Sequence, residues 1–566
     1  MRLSLVRKWL MNYLKMFKEI LKNKKTHTFF LIFFLIIVAS IFRFYNLNWD
    51  LGNFFHPDER NIDNAVARII FFSQLNPQFF AYGGFSIYLY RAAADLTAFI
   101  THNSSWTSDW GLLNVIGRFF SALFSTITIL PIYFLAKKLS NKKIALLAIA
   151  LYTFTVTSIQ TAHFGVTESL ITLIGISICL FSVLLYKKLD LKTAIALAFI
   201  TGIGIAAKTT TISYLIMPLA SYFILLIKRQ NKFTTLFFNF FIFAVVCFLV
   251  FIILSPYTFL DFGKFMESMN YESGVATGSL PVVYTLQFDH TLPYLFQIKN
   301  FFWQMGLNAI FAVLGFIYVL FMTIKKRKPE YIIFSIFPLI YFLYVGSWHT
   351  KFIRYMVPLM PFLIISASIL LFKIKSRFER IGNLLIMFIL ITSIIWSLAF
   401  FSIYLRPQTR IEASKWIYYN IPYNSKVLNE QWDDGLPVSI GQFNPGLYQI
   451  TSLAMYDQDG TDKINYLAQN LSASNYIIIN SRRLYGTLIH LTDKYPITSK
   501  YYKLLFAGKL GYNQAASFTS YPGIFGISIN DDSSEETFQV YDHPKVIIFK
   551  NVNHFSDEKI RKLLSN

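Results

Sequence analysis

The chain has 566 residues, of which 55% are hydrophobic, 18% aromatic and only 14% charged, with a mean hydropathy of +0.47. Soluble globular chains carry about 25% charged residues, so the composition excludes that class and points to a polytopic membrane protein built on apolar runs of about 20 residues. The net charge of +22 by itself suggests nucleic acid as a partner, but its distribution argues against one, because much of the excess lies in short runs between apolar segments: Lys22-Asn23-Lys24-Lys25, Lys137-Lys138, Lys142-Lys143, Lys187-Lys188, Lys228-Arg229 and Lys325-Lys326-Arg327-Lys328. Cytoplasmic membrane loops have this pattern.

In chain order, residues 1–27 are basic and amphipathic and are expected to lie as an interfacial helix on the cytoplasmic surface. Span 1 covers roughly Thr28 to Phe44; with no small-residue cleavage site after it, it reads as a retained anchor. It delivers the acidic loop Trp49-Asp50-Leu51-Gly52-Asn53-Phe54-Phe55-His56-Pro57-Asp58-Glu59-Arg60 to the outer face. The stretch from Asp58 to Leu75 repeats its apolar residues at helical spacing but is too polar to cross, so it reads as a surface helix. Residues 84–101 are nearly long enough to cross, yet Arg91 and Asp95 sit in their middle. Keeping this segment outside places every later basic cluster in the cytoplasm, and crossing would invert them all; the segment is therefore a second surface helix in an outer loop spanning residues 45–110.

Ten further spans follow: Gly111 to Ala136, Ile144 to His163, Glu168 to Tyr186, Leu191 to Ala206, Thr210 to Ile227, Phe233 to Leu254, Phe301 to Ile324, Tyr331 to Val345, Phe352 to Phe372 and Gly382 to Leu405. An outer loop of residues 255–300 precedes the eighth span. The total of about eleven puts the C-terminus outside, on a plasma membrane protein whose N-terminus is cytoplasmic. Cys179 and Cys247 both fall inside apolar runs, so no disulfide framework or cysteine metal site follows. From Arg406 onward, Gly, Pro, Asn and Asp punctuate β-branched runs such as Tyr476 to Ile479 and Val546 to Phe549, after a helix-like stretch from Ile411 to Tyr419. Residues 406–566 read as an extracytoplasmic α/β domain. Its acidic loops Trp432-Asp433-Asp434-Gly435 and Tyr456-Asp457-Gln458-Asp459-Gly460 could hold a cation or a sugar, but Asx turns need the same residues and are the favoured reading.

With this topology, the ionisable residues outside or in the outer membrane half form a short set: Asp58, Glu59, Arg118, His163, Glu168, Lys208, His349, Lys351 and Arg354. Arg118 lies about 10 Å deep at about 1.5 Å per residue, where a charge needs a partner or a substrate. Lys351 and Arg354 face outward against the charge rule, and cations at headgroup level suit a lipid phosphate. An acid pair with a cationic cradle fits transfer chemistry on a lipid-linked phosphate: a carboxylate takes a proton from an acceptor hydroxyl while cations hold the departing phosphate. Plainer readings stand beside these. Asp58 could cap the surface helix, Glu59 could pair with Arg60 or Arg91, and Arg118 with Asp95 or Asp58. His163 and Glu168 suit an interface and a helix start, Lys208 could reach the headgroups, and Lys351 with Arg354 could hold bulk anionic lipid.

His56-Pro57-Asp58-Glu59, Arg118-Phe119-Phe120-Ser121-Ala122-Leu123-Phe124, His163-Phe164-Gly165-Val166-Thr167-Glu168 and Lys351-Phe352-Ile353-Arg354-Tyr355 resemble the glycosyltransferase C superfamily, in particular its protein O-mannosyltransferase branch and the lipid A aminoarabinose transferase. The resemblance covers about residues 28 to 375. It implies a mainly α polytopic fold and inverting transfer of a sugar from a polyprenyl-phosphate donor to an acceptor hydroxyl on the extracytoplasmic face. It further implies Asp58 as general base with Glu59 as its partner, Arg118, Lys208 and Arg354 on the donor phosphate with Lys351 beside them, and Glu168 with His163 as ligands if a divalent metal is used. The sequence departs from the branch in lacking a His-Pro-Pro run after the acid pair. The acceptor is left open among lipid, glycan and protein. The competing class is a transporter or flippase of lipid-linked glycans; the clustering of charge on one face and the absence of a matched pair of broken helices weigh against it.

Overall fold

The computed structural model describes residues 24–229 and 231–565, so nearly all of the expected N-terminal amphipathic helix lies outside the described residues. Among them, eight helices are long and apolar enough to cross a membrane. Together with a pair bent by 58°, Lys142–Thr153 and Val156–His163, and two shorter apolar helices, Leu191–Ala207 and Pro329–Val345, they occupy every predicted span position. Helix Gly84–Thr101 is not among them; its Arg91 Nε donates to Asp95 Oδ1 at 2.9 Å, so the two mid-segment charges serve each other.

Several boundaries follow from local chemistry. Asp109, Asn141 and Asp190 each accept backbone N–H bonds at the starts of helices Trp110–Ile127, Lys142–Thr153 and Leu191–Ala207, satisfying donors that a helix start leaves open. The span expected from Phe301 is cut: helix Leu295–Met305 stops at Gly306, whose φ of +62° no side-chain-bearing residue adopts easily, and Asn308–Lys326 makes the crossing. The 255–300 connection is itself mostly helical, with Phe262–Thr277 its main element. Inside the bundle, Arg43 is fully buried. Its guanidinium donates to Ser125 Oγ at 2.8 Å and to the carbonyls of Tyr152 and Thr153, tying three helices together.

The bundle has two chemically different ends. Helices Trp110–Leu139, Glu168–Lys187, Thr209–Lys228 and Asn308–Lys326 all finish on lysines at one end. There Lys187 pairs with Glu330 at 3.4 Å. The opposite end carries Arg118, Glu168 and Lys208 and receives the C-terminal region.

That region holds a five-stranded sheet in the order β2-β1-β3-β7-β4, with β1 (Lys426–Glu430), β2 (Gln449–Leu453), β3 (Tyr476–Ile479), β4 (Tyr512–Phe518) and β7 (Val546–Asn551). Strands β2, β1 and β3 run parallel, and β7 is antiparallel to both β3 and β4. A small hairpin of β5 (Gly523–Ile524) and β6 (Ile527–Ser528) stands apart. Every residue of central β3 is buried: Tyr476 and Ile478 enter one core, Ile477 and Ile479 the other, as the alternation of a strand covered on both faces requires.

A buried polar seam joins this region to the bundle. Asp542 Oδ2 accepts from Tyr404 Oη at 2.8 Å and from Gln160 Nε2 at 3.1 Å. His543 lies between Asp542 (Nδ1, 2.5 Å) and Asp531 (Nε2, 2.7 Å). Burial opposes charge on this ring, but the two carboxylates override it and push its pKa up to about 10.

Candidate active site

The acidic loop folds around His56. Its Nδ1 accepts the Asp58 N–H at 3.2 Å, which makes His56 the cap of helix Pro57–Arg68, with Pro57 at its first position. The sequence had offered Asp58 for that task. Burial pushes the His56 imidazole below its ordinary pKa, against the pull of Asp58 and Glu59, and a neutral ring keeps Nδ1 free to accept. Two rings pack against it, Phe164 at 4.7 Å and Tyr541 of the C-terminal region at 4.1 Å.

The adjacent acids have opposite surroundings. Glu59 is buried and closed: Arg118 donates to it through Nε at 2.8 Å and Nη2 at 2.6 Å, and Gly165 N–H donates at 2.5 Å. Arg118 also donates to both oxygens of Asp50, at 2.9 and 2.7 Å, and to the Leu47 carbonyl at 2.9 Å. The guanidinium has five N–H donors, and these five bonds use all of them. Arg118 therefore has no N–H to offer a phosphate, and Glu59 has no oxygen turned to an open site. The structure corrects both assignments: the two residues, with Asp50, form a sealed ion cluster, and the partners once considered for Arg118, Asp95 and Asp58, are engaged elsewhere. Asp50 was legible only as a carboxylate in the loop. Burial raises its pKa and Arg118 more than offsets this, holding it below the usual carboxylate range. Gly165 permits the cluster, since a Cβ there would sit 3.3 Å from Glu59 Oε1 and 3.3 Å from the backbone nitrogen of Arg118.

Asp58 is the open acid. Arg354 Nη1 lies 2.9 Å from its Oδ2 and Tyr82 Oη donates to the same oxygen at 3.1 Å. The side chains of Asp58 and Arg354 keep 19% and 21% of their surface accessible, whereas Arg118 keeps none. Beyond Asp58, the Arg354 guanidinium meets the rings of Phe352 at 4.7 Å and Tyr355 at 6.0 Å, and its other N–H groups have no hydrogen-bond partner among the described residues. Burial alone would raise the Asp58 pKa, but Arg354, His56 and Lys208 outweigh it and hold it below its ordinary value. The carboxylate is thus ionised at neutral pH.

Lys208 stands across Tyr82 from Asp58, its Nζ 4.8 Å from the ring centre and 3.0 Å from Glu168 Oε1. Tyr82 reaches this place through a close approach: Gly83 N–H donates to the Ala207 carbonyl at 2.9 Å, and a Cβ on Gly83 would run into the Ala206 carbonyl. Sequence carried no signal for Tyr82. Glu272, on helix Phe262–Thr277, also faces this group; burial and the Asp58 charge raise its carboxyl pKa, with Lys208 and Arg354 opposing.

The remaining assignments part company. Lys351 donates to the His349 carbonyl at 2.7 Å and lines a separate open cleft of about 470 Å³ with Asp289, His290 and His349. Phe352 lies between it and Arg354 in sequence, and the two cations do not converge. His163 stacks on Tyr404 at 3.7 Å, and both ring nitrogens face carbonyls, Ile159 at 2.8 Å and Tyr45 at 2.9 Å. Neither nitrogen is left for a metal. Glu168 gives Oε1 to Lys208 while Oε2 is buried without a hydrogen-bond partner. Among the described residues no group of three His, Cys, Asp or Glu side chains is arranged to hold a metal ion, so the expected pair does not fit one. Among the described residues, the acidic loops of the C-terminal region make neither a cation site nor Asx turns; their carboxylates pair with other side chains: Asp433 accepts from Arg410 at 3.0 Å and Ser481 at 2.5 Å, Asp434 pairs with Arg60 at 3.1 Å, and Asp459 with Lys463 at 3.0 Å.

Residues 111–258 match the family model of dolichyl-phosphate-mannose-protein mannosyltransferases. The fold is that of the archaeal oligosaccharyltransferase AglB from Archaeoglobus fulgidus. It aligns with the complex of that enzyme with an inhibitory peptide and a dolichol-phosphate at 12% identity and a TM-score of 0.50, over 90% of this chain and 75% of that one. With the apo form the identity is 13% and the TM-score 0.52, over 90% and 76%. ArnT from Cupriavidus metallidurans bound to undecaprenyl phosphate aligns at 12% identity with a TM-score of 0.46, over 92% and 97%. No curated protein sequence matches the chain. The apolar helices and the shared fold describe a multi-pass membrane protein, and residues 111–258 are similar to the mannosyltransferase family.

Proposed function

We propose that the protein is an inverting glycosyltransferase that moves a sugar from a polyprenyl-phosphate donor to an acceptor hydroxyl. The reading is carried by Asp58: an ionised, partly open carboxylate held by a guanidinium with unused N–H donors, opposite a lysine. The similarity in fold to an oligosaccharyltransferase whose structure holds dolichol-phosphate supports the lipid-linked donor. The basic end of the bundle reads as cytoplasmic by the charge rule, which puts Asp58 and the C-terminal region on the extracytoplasmic face.

In this mechanism Asp58 accepts the proton of the acceptor hydroxyl as its oxygen attacks the anomeric carbon. The bond from that carbon to the donor phosphate oxygen breaks, and the electron pair leaves with the polyprenyl phosphate. Arg354 and Lys208 stabilise the charge that develops there. One displacement at carbon inverts its configuration. Arg118 and Glu59 take no part in the transfer; they hold the loop that presents the partly exposed Asp58 carboxylate.

The test is Asp58→Asn in membrane-inserted full-length protein, with transfer from a radiolabelled polyprenyl-phosphate sugar as readout. Loss of a positioned base costs about 10²- to 10⁴-fold in rate. Transfer at the wild-type rate would overturn the proposal, and vesicle translocation insensitive to the substitution would identify a transporter instead.

A further inference from the structure

The backbone that carries Arg354 is gripped from two sides by side chains outside its own helix. The 3₁₀ segment Ile353–Leu359 begins after Phe352 with no side-chain cap of its own, which leaves its first N–H groups in need of partners. The Ile353 N–H finds one in Glu535 Oε2 at 3.1 Å, a residue 182 positions later in the C-terminal region. On the other side, the Ile353 carbonyl accepts from Gln304 Nε2 at 3.0 Å.

Glu535 is suited to act as a fixed cap. It is buried, and its own N–H donates at 2.9 Å to Oδ1 of Asn300, on helix Leu295–Met305. Thr537 occupies the rest of its carboxylate, through its N–H at 3.1 Å to Oε1 and its hydroxyl to Oε2. No oxygen is left over for substrate, so its influence passes through Ile353 to the next residue, Arg354. A few positions along the same segment, Tyr541 covers His56 at 4.1 Å. The stretch 535–541 therefore touches Ile353, next in sequence to the arginine that holds Asp58, and His56, which caps the Asp58 helix.

We infer that Glu535 is a positioning residue of the transferase site: by capping the Ile353 N–H it sets the Arg354 guanidinium against Asp58 and the donor phosphate. The inference rests on the transferase reading above, and it makes the C-terminal region a working part of that site. Displacement of a substrate-holding group by about 1 Å is enough to cost orders of magnitude in rate.

The experiment titrates a polyprenyl-phosphate sugar against full-length Glu535→Ala and Glu535→Gln protein in liposomes. For Glu535→Ala we expect the donor KM to rise about tenfold, the size of one lost hydrogen bond to a charged group, with the acceptor KM unchanged. We also expect the acid limb of the pH–rate profile to move upward, because Arg354 is one of the titratable groups facing Asp58, together with Lys208, His56, Tyr82 and Glu272, with Glu168 behind Lys208. Glu535→Gln, which keeps a carbonyl acceptor for Ile353, recovers most of the donor KM. A uniform fall in kcat with both KM values and the acid limb unmoved would mean a merely structural role and overturn the inference. So would wild-type behaviour. If Glu535→Ala does not fold, Glu535→Asp, one methylene short of Ile353, is read by the same criteria. Loss of transfer in Asp58→Asn with an unmoved donor KM in the Glu535 variants would defeat this inference alone; wild-type transfer in Asp58→Asn would defeat the function itself.

Discussion

Arg118→Lys separates a structural arginine from a substrate-binding one. Arg118 makes five hydrogen bonds, four of them to the carboxylates of Asp50 and Glu59, and none of its side chain reaches solvent. Lysine brings three donors on one nitrogen, so at least two of the five bonds are lost, and a point charge cannot grip two carboxylates in parallel. Leaving buried charge without its partner costs about 3–5 kcal/mol, and even the lower figure is about a hundredfold in the folding equilibrium. The measurement is thermal unfolding of the detergent-solubilised protein, paired with the donor KM on the fraction still folded. We expect a marked loss of thermal stability and a nearly normal donor KM. The same exchange at Arg354 should leave stability close to wild type, because that side chain is partly open, and should raise the donor KM. A stable Arg118→Lys protein with a raised donor KM would refute the sealed-cluster reasoning.

Three further outcomes are expected. Transfer should stay flat from neutral pH down to below about pH 4, the ordinary carboxylate range, since Arg354 and its neighbours hold the Asp58 pKa down; the base form is lost only as pH falls through that lowered value, and Arg354→Gln should move this limb upward in a pH–rate profile. His543, with its pKa raised to about 10, contributes stability that is full below its unfolded pKa of about 6.5 and is lost as pH rises through about 10; limited proteolysis of the C-terminal region should therefore accelerate at pH above 10, and His543→Ala should show the same sensitivity at neutral pH because it leaves Asp531 and Asp542 buried without a cation. Gly83→Ala forces a Cβ into the Ala206 carbonyl and should cost about 1–3 kcal/mol, seen as a lower melting temperature, with loss of transfer because Tyr82 shifts between Asp58 and Lys208.

The sequence alone determined the membrane class, the places of the spans and the two ends of the bundle, because hydrophobic length and the distribution of lysines are local properties of the chain. It also singled out Asp58, since His56-Pro57-Asp58 writes a helix start directly into a loop after the first span. It ranked Asp58 above Glu59 as the base, but it held no sign of what separates their surroundings. The two are neighbours of the same chemical type, and their difference lies in what distant segments bring: Arg118, Asp50 and Gly165 close over one, while Arg354 and Tyr82 leave the other open. Arg118 and Arg354 were likewise equivalent as sequence, both cations on one face. Only the count of donors already used, five at Arg118 and far fewer at Arg354, assigns one to the fold and leaves the other open to a ligand. Lys351 was grouped with Arg354 by proximity in the chain, yet its ammonium turns to the His349 carbonyl and a different cleft. The reach of the C-terminal region into the site through Glu535 and Tyr541 had no sequence signal at all. It arises from contacts across 182 positions at one end and from a ring laid on His56 at the other, and such pairings exist only once the chain has folded.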